Sequence, residues 1–344
     1  MRVNLILDMA NNLKGSGIYS SAIRTFQALQ QEGIDIELNG RRKITDYDII
    51  HFQTALPGSF LKAKKLANLK NRRPKIVMHA HTTVEDFQGS FIIASKRITH
   101  PYLTRFYNFA DSLVAVSEYN KSLLIKYGFH PEKISVISNG IDLSKIQKNE
   151  AEGAKFRRNL GLSDTTLLVF AVGGVLYRKG PDLFVRTAKL LQGKDFYFIW
   201  AGRLFPMASL AYRKSMVWSF NQALQMPHVR FTGYLPSIKG LYNAGDVFFL
   251  PTREENQGIV VLEAINYDKS LLLSEIPVFD WLKHGYASMK GVTPADFAEC
   301  LQVLHDNPNL RKNLTEQAKA LLPQHSLAVS AKLIVKLYTR LLES

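Results

Sequence analysis

The segment DVFFLPTREENQGIVVLEAI, residues 246–265, leads from a strand to a helix through one polar loop. Asp246 to Pro251 is an apolar run closed by a proline, the pattern of a buried strand. IVVLEAI has the amphipathic spacing of a helix. Gly258 stands where that helix begins, so unpaired backbone N–H groups and the positive end of the helix dipole face the loop. Such a place suits an anion. Glu255 and Glu263 flank the turn with seven residues between them. One carboxylate precedes the helix and the other lies within it, so the pair can address different hydroxyls of one ligand. A sugar attached to a diphosphate fits that arrangement. Two surface glutamates near a helix start are the alternative that spacing alone leaves open.

Strand–helix alternation runs outward from this segment in both directions. VNLIL, DIIHF, KIVMHAH, SLVAVS and KISVIS read as strands of a first half, with helices at YSSAIRTFQALQQ, at the basic stretch after Leu61 and at NKSLLIKYG. A polar, weakly patterned stretch from Gln147 to Arg158 interrupts the series. TLLVFAVG, FYFIWAG, VRFTGY, DVFFLP and SLLLSE then read as strands, with helices at PDLFVRTAKLLQ and in the EAINYD segment. Such alternation predicts an α/β protein with parallel sheets covered by helices. Its repetition predicts two Rossmann-like domains facing a central cleft, with ligands outside the carboxyl ends of the strands. The expected boundaries are 1–147, 148–324 and a terminal helix at 325–344, with Leu333, Leu337 and Leu341 on one face.

Composition narrows the class. A chain of 344 residues with 46% hydrophobic and 21% charged residues can fill two ordinary domains of ~100–200 residues. The single cysteine, Cys300, excludes an intramolecular disulfide and fits a reducing compartment; its setting, FAECLQVL, reads as core. The opening MRVNLILDM reads as a first strand rather than a signal peptide, and no run approaches ~18 apolar residues. A cytoplasmic protein, or one attached to the inner face of the cell membrane, is therefore expected.

Lys and Arg number 44 against 29 Asp and Glu, a net charge of +15 that calls for anionic partners. Lys62, Lys64, Lys65, Lys70, Arg72, Arg73 and Lys75 crowd the stretch from Leu61 to Lys75, which has no acid. Leu61, Ala63, Leu66, Ala67 and Leu69 lie among them. Together they predict a short basic amphipathic helix of the type that rests on an anionic membrane surface. A solvated helix face is the other reading. No nucleic-acid-binding motif is present, so no nucleic acid partner is expected.

Further candidates cluster in loops. In NNLKGSGIYSSAIR, Gly15 and Gly17 permit close backbone approach, and Ser16, Ser20 or Ser21 can cap the helix that follows. The spacing is not the dinucleotide fingerprint. His79 and His81 end the strand KIVMHAH on one side of it; a shared metal is one reading, a hydrogen bond to substrate the other. Arg178 and Lys179, before Gly180, place a bidentate fork and a point charge where a diphosphate would lie. Asp46-Tyr47-Asp48 has the letters of a metal-chelating Asp-x-Asp but stands at the amino end of its strand, and reads as a turn. Asn139-Gly140-Ile141-Asp142 likewise reads as a turn.

These residues together resemble the retaining glycosyltransferases of family 4, which have the GT-B architecture, over essentially the whole chain. The likeness rests on the Gly15/Gly17 loop, His81-Thr82, Ser117-Glu118, Asn139 to Asp142, Gly173 with Lys179-Gly180, Phe231-Thr232-Gly233, and Glu255 with Glu263. The resemblance implies that His81 and Glu255 act on the donor sugar, Glu263 holds the ribose, and Lys179 binds the diphosphate. Gly15, Ser16, Gly17, Arg178, Asn256, Gln257, Gly258 and Ile259 would complete donor binding. It also implies that the terminal helix crosses back to the first domain. No metal and no cofactor are implied; the nucleotide sugar is a substrate. Gly174 replaces an arginine common in the family, and Gln257 replaces a phenylalanine.

The expected reaction is hexosyl transfer with retention from UDP-glucose or UDP-galactose, and the likeness extends to bacterial glycosyl-diacylglycerol synthases. Diacylglycerol or monoglycosyl-diacylglycerol would be the acceptor. Polysaccharide or lipid-linked oligosaccharide assembly, and a non-catalytic partner subunit, are the alternatives.

Overall fold

Apolar runs buried on both faces dominate the strands. In the computed structural model, which describes residues 1–13, 16–69, 73–88, 95–144, 148–203 and 210–343, they assemble into two parallel sheets. The first holds β1 (Arg2–Ile6), β2 (Asp35–Leu38), β3 (Ile49–Phe52), β4 (Lys75–His79), β5 (Ser112–Ala115) and β6 (Ile134–Val136). Their spatial order is β2-β1-β3-β4-β5-β6. The second holds β7 (Leu167–Val172), β8 (Phe196–Ala201), β9 (Val229–Gly233), β10 (Val247–Leu250), β11 (Ser270–Ser274) and β12 (Met289–Gly291). Its order is β12-β11-β10-β7-β8-β9. Each order reverses once, between β1 and β3 and between β7 and β10, and loops diverge at such switch points to leave room for ligands.

The described residues fall into two compact units, one from 1–142 and 324–343, the other from 143–323. In the first unit successive strand residues serve opposite faces. Val3 and Leu5 pack under the helix Gly17–Gln31 and the terminal helix Leu327–Glu343, whereas Ile50 and Phe52 face Leu103 and Phe106. In the second unit Val169, Phe198, Trp200 and Phe249 pack against Phe184 and Phe297. Cys300 is buried in that core, and its thiol is pushed up to about 11 by burial.

Two strands have no counterpart in the apolar pattern. β2 buries only Ile36 fully, and β12 has three residues; both are sheet edges, where one neighbour suffices. The terminal helix also turns differently from the expected leucine stripe. It buries Ala331, Ile334, Leu337 and Tyr338, while Leu333 is 42% exposed. A helix advances 100° per residue, so an i, i+4, i+8 stripe drifts off the packed face. The helix is seated by Leu327 N–H donating to Ile141 O (2.8 Å) and Ile141 N–H donating to His325 O (3.1 Å).

The basic helix is shorter than its charge pattern predicts. It spans Pro57–Ala67, and Lys75 opens β4 instead. Ala63 and Leu66 are fully buried against Phe52 and Phe106, so the apolar side of the helix covers the sheet rather than facing outward. Lys62 pairs with Asp8 (2.8 Å) and Arg73 with Asp111. Leu61, Lys64 and Lys65 remain exposed; Lys70 and Arg72 lie outside the described residues.

Candidate functional site

At the β7/β10 switch point the second unit gathers opposite charges. β7 ends in a loop that tightens into a 3₁₀ turn, Tyr177–Lys179, before the helix Pro181–Leu190. Gly180 closes this turn at φ 75°, and a Cβ there would fall 1.9 Å from the carbonyl oxygen of Pro251. Only glycine lets the turn lie against the end of β10. Arg253 N–H then donates to Arg178 O (2.6 Å), and Thr252 Oγ1 donates to the same oxygen (2.9 Å). The Arg253 guanidinium forks onto Asp182 (2.8 and 2.7 Å) and lies over the Tyr177 ring.

That clamp brings Lys179 to Glu255. Lys179 Nζ donates to Glu255 Oε2, and Arg178 Nη1 is 3.9 Å from the same oxygen. All three side chains are between 12% and 16% exposed. Burial would by itself raise the Glu255 pKa, but the Lys179 ammonium and Arg178 guanidinium outweigh it and hold the carboxyl below its usual range. Asn256 and Gln257 are buried beside it, and Gly258, at φ 81°, reverses the chain into the helix Ile259–Asn266. Glu263, one turn and more into that helix, accepts at 3.4 Å from Tyr242 Oη, which also lies 3.3 Å from Val260 O; no sequence pattern singles out Tyr242. Thus the two glutamates differ physically, one ion-paired in the loop and one hydrogen-bonded on the helix.

The first unit gathers neutral rings instead. His51 on β3, His79 on β4 and His81 just beyond it stack in series, with centroids 5.4 and 4.3 Å apart and planes within 4° and 2°. Gln53 Oε1 faces His81 Nε2 (2.9 Å), and Gln53 Nε2 faces His51 Nε2 (3.2 Å) and His79 Nδ1 (3.4 Å). Tyr338 of the terminal helix meets His51 Nδ1 at 2.6 Å. All three histidines are under 9% exposed. Burial lowers His51 to about 3 and His81 to about 4, and lowers His79 as well. They are therefore neutral near pH 7. Parallel stacking turns ring faces, not lone pairs, toward one another, which disfavours a metal shared by His79 and His81. Among the described residues no group of three or more His, Cys, Asp or Glu is arranged to hold a metal ion.

His51, Gln53 and Tyr338 escaped the sequence reading. The available signal was a pair of polar residues two apart, His51 and Gln53, at the end of an apolar strand.

The remaining candidates are placed as follows. Ser16 caps the helix Gly17–Gln31, accepting from Tyr19 N–H at 3.2 Å, and Gly17 is its first residue; Gly15 lies outside the described residues. Asp8, beyond β1, accepts from Ser59 Oγ (2.9 Å) as well as pairing with Lys62. Asp48 accepts from Arg2 N–H (2.7 Å) at the amino end of the first sheet, a structural tie. Asn139 accepts from Ser21 Oγ (2.7 Å), which binds its turn to the helix Gly17–Gln31.

Comparison with known proteins identifies the family and the fold. A family model described as Glycosyltransferase Family 4 matches residues 19–145, and one described as Glycosyl transferases group 1 matches residues 153–321. The chain is 29% identical over 315 residues to a processive diacylglycerol alpha-glucosyltransferase of Acholeplasma laidlawii, covering 89% of each. It is 25% identical over 335 residues to an alpha-galactosylglucosyldiacylglycerol synthase of Streptococcus pneumoniae, covering 95% of this chain and 86% of that one. Among solved structures, Anabaena HepE in complex with UDP and glucose superposes with a TM-score of 0.81 at 16% identity, over 99% of this chain and 100% of that one. Sucrose-phosphate synthase of Thermosynechococcus elongatus gives 0.79 at 14% identity, over 99% of each. The likeness to these structures is one of fold: two Rossmann-like domains of the GT-B type.

Proposed function

This chain belongs to the family 4 glycosyltransferases, and on that premise we propose that it moves a hexose from UDP-glucose or UDP-galactose to a diacylglycerol-based acceptor with retention of configuration. The observation that carries the proposal is the Lys179–Glu255–Arg178 group at the β7/β10 switch point, beside Gly258 and the start of a helix. Two cations and a helix N-terminus suit the diphosphate that departs in glycosyl transfer, because they stabilise charge that grows in the transition state. Glu255 then takes sugar hydroxyls and Glu263, held by Tyr242, takes the ribose. His81 meets the sugar near its reacting carbon as a neutral imidazole. The acceptor hydroxyl attacks from the leaving-group face and its proton passes to the departing phosphate, so no protein nucleophile is required.

Both relatives are named for glycosides of diacylglycerol, which supports a lipid acceptor. No helix among the described residues is long and apolar enough to cross a membrane. We place the protein on the inner face of the cell membrane, with Leu61, Lys64 and Lys65 as the outward contact of the helix Pro57–Ala67.

The test is turnover of a panel of UDP- and GDP-sugars with vesicles containing diacylglycerol or monoglycosyl-diacylglycerol. Glycolipid formation from a UDP-hexose, persisting in EDTA and lost in Glu255→Gln, is expected, with an α-anomeric product by NMR. A β-anomeric product would overturn retention. Transfer only to a water-soluble saccharide would overturn the lipid acceptor.

A further inference from the structure

We propose that Gln53 is a positioning residue for His81, fixing its tautomer and ring orientation, and that His51 and Tyr338 extend this hold to the terminal helix. The inference rests on the reading in which His81 meets the donor sugar. Its basis is a continuous polar chain through an otherwise apolar layer: Tyr338 Oη to His51 Nδ1 (2.6 Å), His51 Nε2 to Gln53 Nε2 (3.2 Å), Gln53 Oε1 to His81 Nε2 (2.9 Å). β3 and β4 are paired neighbours, so residues at the end of each meet side by side.

A neutral imidazole carries one N–H and one lone pair, and which nitrogen holds the proton follows from the partner it meets. Gln53 meets three rings with a single amide. Its oxygen accepts from His81, which makes His81 the Nε2–H tautomer and leaves the ring's lone pair at Nδ1. Its nitrogen donates to His51 Nε2 and His79 Nδ1, so those rings carry their protons on the opposite nitrogens. His51 Nδ1–H then donates to Tyr338. One side chain thereby couples three tautomers. Stacking on His79 at 4.3 Å and 2° prevents the His81 ring from turning to another partner, and burial removes water as a competitor.

The arrangement exceeds what packing needs. Gln53 is fully buried, and His79 Nε2 has no hydrogen-bond partner among the described residues, so an apolar layer would avoid a desolvation cost that this one retains.

The experiment combines long-range ¹H–¹⁵N spectra of histidine-labelled protein with steady-state kinetics. In the wild type, His81 is expected as a single tautomer. Gln53→Met keeps the volume and removes the amide; it should give His81 as a tautomer mixture and lower kcat by roughly tenfold, with donor KM changed less than about threefold. Tyr338→Phe removes one oxygen, is expected to fold, and should redistribute the His51 tautomers with a smaller shift at His81. A His81 spectrum unchanged in both variants would overturn the proposal, as would a wild-type kcat in Gln53→Met. His81→Ala separates the two readings. A wild-type kcat there overturns the sugar contact of His81 itself, whereas a collapsed kcat together with an unaltered Gln53→Met overturns only the positioning role.

Discussion

Glu255, beside Lys179 and Arg178, keeps its charge in a largely buried setting, whereas His51, His79 and His81, buried more deeply, give theirs up. Each site lies at the carboxyl ends of inner strands of its unit's parallel sheet. Desolvation acts on both in the same sense, against the ionised form. What differs is the neighbour. Glu255 has two cations within 4 Å, and Coulombic attraction exceeds the burial cost. The histidines meet an amide, a phenol and one another, none of which supports a positive charge. A six-stranded parallel sheet can thus hold a polar site as an ion pair or as a neutral network.

Cutting the ion pair from one side has the largest expected effect. Lys179→Met leaves the buried Glu255 with Arg178 at 3.9 Å and the Asn256 N–H at 3.2 Å, and should lose about 3–5 kcal/mol in urea unfolding of the second unit. Gly180→Ala should lose about 3 kcal/mol, since it combines positive-φ strain with a Cβ in the Pro251 carbonyl. A loss below about 0.5 kcal/mol, the surface-substitution range, would mean the turn is not held against β10.

The pH response separates the units. Histidines lowered to about 3 (His51) and about 4 (His81, His325) bind protons more readily unfolded than folded. Stability from them is complete above pH ~6.5, the unfolded value, and falls as pH drops toward the folded values. Glu255, also lowered, contributes fully above its unfolded value and loses its contribution only as pH falls through its folded one. Between pH ~6.5 and ~4.5 hydrogen exchange should therefore quicken in the first unit while the second unit's charged loop stays protected. His79→Leu should flatten the first unit's slope by up to about 1.4 kcal/mol per pH unit.

Smaller effects sharpen the same contrast. Tyr242→Phe should cost about 1 kcal/mol in donor binding by titration calorimetry, the net worth of one ordinary hydrogen bond, since the hydroxyl is shared between Glu263 and Val260 O. Paired Lys64→Ser and Lys65→Ser substitutions should leave stability within about 0.5 kcal/mol while weakening binding to anionic vesicles in a flotation assay. Undiminished flotation would detach this helix from any membrane role.

Much of the fold is legible in one dimension because parallel strands are continuous apolar runs between helical patterns. The charged site is legible for a related reason: Arg178, Lys179, Gly180, Glu255 and Gly258 sit in two short loops with local signatures, and Glu263 in the helix that the second loop opens. The exceptions share a cause. β2 and β12 need no strong apolar pattern at a sheet edge, and the stretch from Leu61 to Lys75 is uniform in charge but divided between helix and strand.

Periodicity and loop chemistry are written in the order of residues: two α/β halves, the glutamate loop, the cations that face it. Those signals act over a few residues, through backbone geometry and side-chain spacing. Tertiary structure alone decided which face of the helix Pro57–Ala67 is buried, that Tyr242 holds Glu263, and that His81 is tied to Gln53, His51 and Tyr338. Tyr338 lies 287 residues from His51, so no local pattern links them. A side chain's charge and hydrogen bonds are set by whichever groups share its dry volume, and the packed fold chooses those groups.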